Sequence, residues 1–207
     1  MGTFLATLHL ALRDFPREAG RARTFAIDRA ATLATIDRLE ATIRRRPGTD
    51  PRDAIALPRL AARRAWLERQ PAGATIDEAA LDEQLIHGDY QETNVFFAGG
   101  RVSAVIDWDA AYVASRAWEI VRTLDLVFGF APDRCRAFLA AYRAVQPIAP
   151  ADLDRAAANY GLLRAHDLWV YNSYYLEGNE RVGRFITPGG FVPLDARWAA
   201  LRPALAG

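Results

Sequence analysis

The sequence predicts a mainly α-helical protein carrying a single small β-hairpin. Two observations point there. Apolar residues recur at helical spacing through most of the 207 residues, as expected for amphipathic helices. Only one stretch, Asn94-Val95-Phe96-Phe97 and Val102-Ser103-Ala104-Val105-Ile106, has the β-rich composition and central Gly99-Gly100 of a tight hairpin.

The elements follow in chain order. Phe4, Leu5, Leu8 and Leu12 form a helical stripe that Phe15-Pro16 closes. A second helix spans about 25–45, with Leu33, Ile36, Leu39 and Ile43 on one face. Arg44-Arg45-Arg46 reads as its solvated last turn, where cations complement the helix dipole, before Pro47-Gly48. Gly48, Pro51 and Pro58 mark a loop, after which helix resumes through Leu60, Arg64 and Leu67 to Pro71. Thr75-Ile76-Asp77-Glu78 has the spacing of a capping box and starts a short helix. Leu85-Ile86-His87 is a short apolar stretch before the hairpin.

Beyond Asp109 the pattern is helical again, with Ile120, Val121, Leu124, Val127 and Phe128 forming a face wide enough for deep burial. Pro132 and Pro150 each open a helix, the second running through Leu162, Leu163 and Trp169 toward Tyr175. Gly189-Gly190 and Pro193 precede a last helix ending near Leu201. No repeat or low-complexity linker interrupts the chain. One domain over 1–207 is the economical reading.

Composition narrows the chemistry. The chain is 51% hydrophobic and 25% charged, the profile of a globular protein. All 26 basic residues are Arg, and there is no Lys. Coding bias accounts for Arg on the surface, yet no Lys is available for a phosphate loop, a Schiff base or a kinase-type phosphate clamp. Cys135 is the sole cysteine, so an intrachain disulfide and a thiolate metal site are excluded, and it reads as a buried bystander. A net charge of +1 argues against a nucleic-acid footprint. No apolar run approaches the ~20 residues of a membrane span, and the N-terminus does not read as a signal peptide, so a cytoplasmic protein is expected.

The hairpin carries the chemistry. With Gly99-Gly100 in the turn, Ala98 pairs with Arg101, Phe97 with Val102, and Asn94 with Val105. Asn94, Val105 and Asp107 then share a face, and diagonal neighbours about 7–8 Å apart can converge on one ion. His87-Gly88-Asp89 adds a second carboxylate just before it. Oxygen donors of this kind suit Mg²⁺, which takes one or two carboxylates and completes its shell with water and phosphate.

His87-Gly88-Asp89-Tyr90-Gln91-Glu92-Thr93-Asn94, followed by Val105-Ile106-Asp107-Trp108-Asp109, resembles the catalytic core of the aminoglycoside phosphotransferase and choline kinase group. The resemblance rests on two motifs in the right order and gap. It extends through helical flanks that include Leu5-Ala6-Thr7-Leu8-His9 and covers essentially the whole chain. It implies the C-terminal helical lobe of a protein-kinase-like fold. Its parts are a helical segment 1–84, a catalytic loop and metal-site hairpin 85–109, and a helical substrate-side segment 110–207. By the same resemblance Asp89 is the catalytic aspartate, and His87 braces its loop. Asn94 and Asp107 hold Mg²⁺ on ATP, and Asp109 either supports the metal site, the favoured role, or caps the next helix. Gln91 stands where protein kinases usually carry Lys, which favours a small hydroxylated substrate over a protein.

The family's nucleotide lobe is not visible: nothing before His87 reads as a sheet with a Gly-containing loop and a Lys. The chain is therefore expected to be the C-lobe alone, with weak Mg·ATP binding and negligible turnover in isolation. A fragment, a separately encoded N-lobe and a reused binding module all fit this expectation. His166, Asp167, Trp169, Tyr171, Tyr174 and Glu177 mix rings with hydrogen-bonding groups and are the candidate contacts to a hydroxyl- or amine-bearing substrate. Two other classes compete: a metal-dependent phosphohydrolase using His87, Asp89 and Asp107, and a non-catalytic interaction module. In the module, a homodimer or a partner chain would cover an exposed apolar face.

Overall fold

The computed structural model describes residues 1–16, 26–46, 48, 50–77 and 82–205. In chain order the elements are α1 (Gly2–Leu12), α2 (Arg29–Arg45), α3 (Pro51–Arg69), β1 (Glu83–Ile86), β2 (Val95–Ala98), β3 (Arg101–Val105), β4 (Tyr112–Ser115), α4 (Arg116–Leu126), α5 (Pro132–Arg143), α6 (Pro150–His166), the single turn α7 (Trp169–Tyr171) and α8 (Leu194–Leu201). A π-helical segment, Asn172–Leu176, continues α7, and short 3-10 turns cover Glu92–Asn94, Trp108–Ala110, Glu180–Phe185 and Arg202–Leu205. The protein is mostly helical, as its periodicity predicts.

The chain divides into two compact units. The first comprises Met1–Phe25, Asp77–Tyr160 and Asp195–Gly207, and the second Ala26–Ile76 and Gly161–Leu194. In the first unit α1 packs on α5, so closely that a Cβ at Gly2 would lie 2.2 Å from the Phe138 carbonyl oxygen. Leu5, Ile86, Ile120, Leu124 and Leu139 are buried there. In the second unit Ile36, Leu39 and Ile43 of α2 meet Leu60 and Leu67 of α3. Tyr171, Tyr174 and Tyr175 join that same core.

Local chemistry sets the helix starts. Asp28 accepts from the Ala31 N–H at 2.9 Å and caps α2, and Asp50 caps α3 with Pro51 in its first turn. Ser115 accepts from the Trp118 N–H at 3.1 Å and caps α4.

Four expectations need correction. Pro51 and Pro58 do not sit in a loop: α3 begins at Pro51 and continues through Pro58. An interior proline costs about 3 kcal/mol, and full burial of Ala56, Leu60 and Leu67 on the same helix outweighs it. The hairpin is not the only β structure, because β1 and β4 form a second antiparallel pair with Ile86 opposite Tyr112. The helix from Pro150 does not run to Tyr175 but breaks after His166, where the Asp167 carboxylate accepts from the Trp169 N–H at 3.1 Å and starts a new turn. Arg46 is not merely solvated: it lies 3.5 Å from Asp50 and stacks over the Tyr174 and Tyr175 rings. The capping box at Thr75 and its short helix reach Glu78, and the three-arginine run reaches Pro47; both of those residues lie outside the described ones.

Candidate active site

The sheet of β1 and β4 leads directly into the His87-Gly88-Asp89 loop. Gly88 has φ +77°, and a Cβ there would meet the Ala110 carbonyl oxygen at 2.2 Å and the Tyr112 ring at 2.5 Å. Glycine is therefore required on both conformational and steric grounds. The loop backbone is held from α4: the Glu119 carboxylate accepts from the His87 N–H at 3.2 Å and from the Gly88 N–H at 2.5 Å.

Glu119 is 1% exposed, and its Oε2 also meets His9 Nε2 at 2.9 Å. The other ring nitrogen of His9 reaches the Tyr142 hydroxyl at 2.9 Å, and Arg116 donates to the same hydroxyl at 3.3 Å. Burial raises the ionisation of both Tyr142 and Tyr90 above the ordinary phenol value.

His87 is fully buried and connects the loop to the hairpin. Its Nδ1 accepts from the Asp89 N–H at 3.2 Å, and its Nε2 lies 2.9 Å from the Ile106 carbonyl oxygen. That pattern fits a ring protonated on Nε2. Trp108 packs edge-on against it at 4.7 Å.

Asp89 has both carboxylate oxygens engaged. Arg122 of α4 donates to Oδ1 at 2.5 Å, while Gln91 and Asn94 donate to Oδ2 at 2.9 and 2.8 Å. The Asn94 amide also donates to the Asp89 carbonyl at 2.9 Å. With its nitrogen committed to Asp89, the Asn94 amide oxygen accepts from the Thr93 hydroxyl at 3.4 Å and keeps one lone pair for another group.

The hairpin differs in register from the sequence expectation. Gly99 and Gly100 do form the turn with φ of +56° and +74°, and Ala98 pairs with Arg101 and Phe97 with Val102. A bulge between Phe96 and Phe97 then leaves Ser103 unpaired, so Val95, not Asn94, faces Val105. Asn94 ends the preceding 3-10 turn and accepts from the Ile106 N–H at 3.0 Å. Asp107 follows at once with φ 64° and ψ 63°, a left-handed conformation uncommon outside glycine. Asp107 and Asp109 are both exposed, whereas Asn94 is buried. No group of three or more His, Cys, Asp or Glu among the described residues could hold a metal by itself.

His87, Asp89 and Asn94 are therefore brought together, with Asp107 one residue beyond the Ile106 contact. The remaining candidates lie in the second unit. His166 Nδ1 meets Thr32 Oγ1 at 2.8 Å, and Asp167 pairs with Arg164 at 2.8 Å. Tyr174 is buried and donates to Asp50 at 2.5 Å, with Arg52 over its ring. Tyr171 is buried below Arg63, Trp169 is exposed against Phe185, and Glu177 lines an open cavity of 430 Å³ with Arg38, Asn172 and Leu176. Cys135 is fully buried, and burial pushes its thiol up to about 11, as expected of a bystander.

Sequence reasoning missed Glu119, Arg122 and His9. A signal existed for Glu119: a carboxylate inside the apolar run Ala117-Trp118-Ile120-Val121 has to find buried donors. Arg122, three residues further on, then projects from a neighbouring part of the same helix face.

Among the described residues no helix is long and apolar enough to cross a membrane. Comparison with known proteins matches residues 1–177 to the phosphotransferase enzyme family. The chain is similar to homoserine kinases from Methylobacterium sp. (strain 4-46), at 30% identity over 162 residues, and from Methylorubrum populi, at 31% over 164 residues. Each alignment covers 74% of this chain and 44% of the relative, so the chain spans less than half the length of the curated relatives it matches. A match running through 177 residues that include the whole Asp89 loop and hairpin decides the lineage: the chain belongs to the phosphotransferase enzyme family.

Proposed function

We propose that the chain carries the transfer chemistry of an ATP-dependent phosphotransferase that modifies a hydroxyl on a small polar molecule. The observation that supports this most is the fixed Asp89 carboxylate, held by Arg122, Gln91 and Asn94 at the end of a loop anchored on Glu119. Phosphoryl transfer depends mainly on positioning and on neutralising phosphate charge, and this carboxylate is positioned from three sides. In this reading Asp89 orients the attacking hydroxyl and His87 braces the loop against the hairpin.

Asn94 and Asp107 are the residues that would hold Mg²⁺, with Asp109 in support. The donor set fits a hard cation in kind: one amide oxygen, on the buried Asn94, and one exposed carboxylate, on Asp107. Two such ligands suffice when phosphate oxygens and water complete the shell. A cation held there would supply charge neutralisation for the phosphates of a bound nucleotide.

In this reading the chain is a kinase-like C-lobe working in the cytoplasm. Residues 85–109 carry the chemistry, and the helical segment from 110 onward serves the acceptor. The homoserine kinases among its relatives point to a hydroxylated, amine-bearing acceptor. Because the chain has no Lys, and the structure described ahead of β1 is helical with no strand, the isolated chain is expected to bind Mg·ATP weakly and to turn over negligibly. Calorimetry giving a low-micromolar constant overturns that expectation. Joined to a nucleotide-binding lobe, the protein should phosphorylate a small hydroxylated amine. Asp89→Asn should abolish transfer without unfolding the chain, and an unimpaired Asp89→Asn variant would sink the reading.

One observation favours a second reading. Phe96, Phe97, Ile106 and Trp108 on and beside the hairpin are 41 to 54% exposed, an apolar surface that suits a covering chain. Sedimentation that finds a dimer lost on Phe97→Ser would favour an interaction module.

A further inference from the structure

We infer that the second unit contains a binding site for a small zwitterion, a molecule with a primary ammonium and a carboxylate, in a cavity lined by Asp28, Arg29, Gln70 and His166. The cavity measures 400 Å³, within the range of small-molecule sites. Ile27, Ala30, Pro71, Ala72, Ala74 and Leu162 supply its apolar wall.

The argument starts from one proton. Thr32 Oγ1 donates its only hydrogen to the Asp28 carbonyl at 2.7 Å. The same oxygen lies 2.8 Å from His166 Nδ1, so it must accept there, and His166 must carry its hydrogen on Nδ1. The neutral ring then presents a bare Nε2 lone pair, for which the described residues provide no hydrogen-bond donor. Burial, with Arg63 and Arg29 against Asp28, keeps the ring's protonation below the ordinary imidazole range, consistent with an acceptor at neutral pH.

Two further charges complete the site. Asp28 spends Oδ1 on the Ala31 N–H at the start of α2, leaving Oδ2 as a second acceptor. Arg29 is fixed by donation from Nη1 to the Gln70 carbonyl at 2.7 Å, which leaves its other N–H groups for an anion. An ammonium carries three donors and matches the imidazole and carboxylate together. A carboxylate matches the guanidinium. An alcohol alone would leave Arg29 unused, and a simple anion would face Asp28.

The lining lies within the second unit, while the choice of hydroxylated amino acids as probes rests on the proposed function, in which His166 is a candidate acceptor contact. The test uses the full chain with L-serine, L-threonine and L-homoserine as probes, followed by ¹⁵N-detected imidazole NMR and calorimetry. We expect saturable binding of at least one probe that shifts the His166 Nε2 resonance. The N-acetyl and carboxamide derivatives should bind about tenfold more weakly or worse, each having lost one charge. Asp28→Asn keeps the helix cap and should weaken the amino acid by a similar factor, so the test survives if His166→Phe fails to fold. The inference is overturned if no probe binds saturably, if His166 Nε2 carries the hydrogen, or if the N-acetyl form binds as tightly as the parent. Failure here leaves the Asp89→Asn experiment unaffected, and the reverse holds as well.

Discussion

Arg122 and Asp89 form an ion pair 2.5 Å long in which each side chain is 21% exposed. The pair joins α4 to the loop after β1, so helix and loop cannot shift independently without breaking it. A partly buried, charge-assisted hydrogen bond of this kind contributes more than a surface pair.

Removing that cation should be measurable without any assay of transfer. Arg122→Gln is expected to lower stability by about 1–2 kcal/mol, with Arg122→Lys falling between it and the parent because Lys keeps the charge but not the fork. Urea unfolding midpoints provide the comparison. Equal midpoints for all three proteins would show that the pair contributes nothing to the fold.

Gly88 and Gly99 separate two costs of adding a methyl group. Both have positive φ, but a Cβ at Gly99 meets nothing within 4 Å, whereas one at Gly88 strikes backbone at 2.2 Å. Gly99→Ala should therefore cost about 1 kcal/mol from backbone conformation alone. Gly88→Ala should cost several times as much, or prevent folding. Thermal melts that rank the two variants equally would contradict the packing seen around Ala110 and Tyr112.

Glu119 should tolerate substitution poorly despite lying away from any solvent-facing chemistry. Glu119→Gln replaces an acceptor oxygen by an amide nitrogen, so one of the His87, Gly88 and His9 partners loses its bond. A loss of about 2–4 kcal/mol is expected. Hydrogen exchange at the Gly88 amide should quicken in step. Unchanged exchange there would sever the proposed link between Glu119 and the loop.

The His166 ring gives a pH dependence with a definite sign. Burial and then Arg63 hold its protonation below the ordinary value of 6.5, while Asp28 acts in the opposite direction. Protonation therefore favours the unfolded chain, whose value is higher. The ring's contribution is intact above 6.5 and is lost as pH falls through the lower folded-state value. Melts between pH 7.5 and 5 should show this decline, and His166→Asn should flatten it. A ring that titrates above 6.5 by NMR would reverse the prediction.

The helices were legible because their periodicity is local. Ile36, Leu39 and Ile43 could be read as one face of α2 from spacing alone, and Gly99-Gly100 announced its own turn. Pro58 reads as a loop marker because its effect depends on what the helix buries, and burial is not a property of the local sequence. Asn94 was placed on a strand face since a bulge at Phe96 and Phe97 leaves no mark in composition. Asp89, His87 and Asn94 were grouped as candidates through their spacing. Their supports were not, because Glu119 follows Asp89 by thirty residues and Arg122 by thirty-three, and only the folded chain brings them together.

The His9–Glu119 contact spans 110 residues, and its extension to Tyr142 spans 133. Closing loops of that length is entropically unfavourable until other contacts compensate, and such distant pairings slow folding. On the ribosome, α1 emerges ahead of α4 and must wait for it before His9 can meet its partner. The His87–Asp89 segment is therefore synthesised thirty or more residues before the carboxylate that fixes its backbone. The loop acquires its shape only once α4 has been made, and until then Asp89 sits on an unanchored segment.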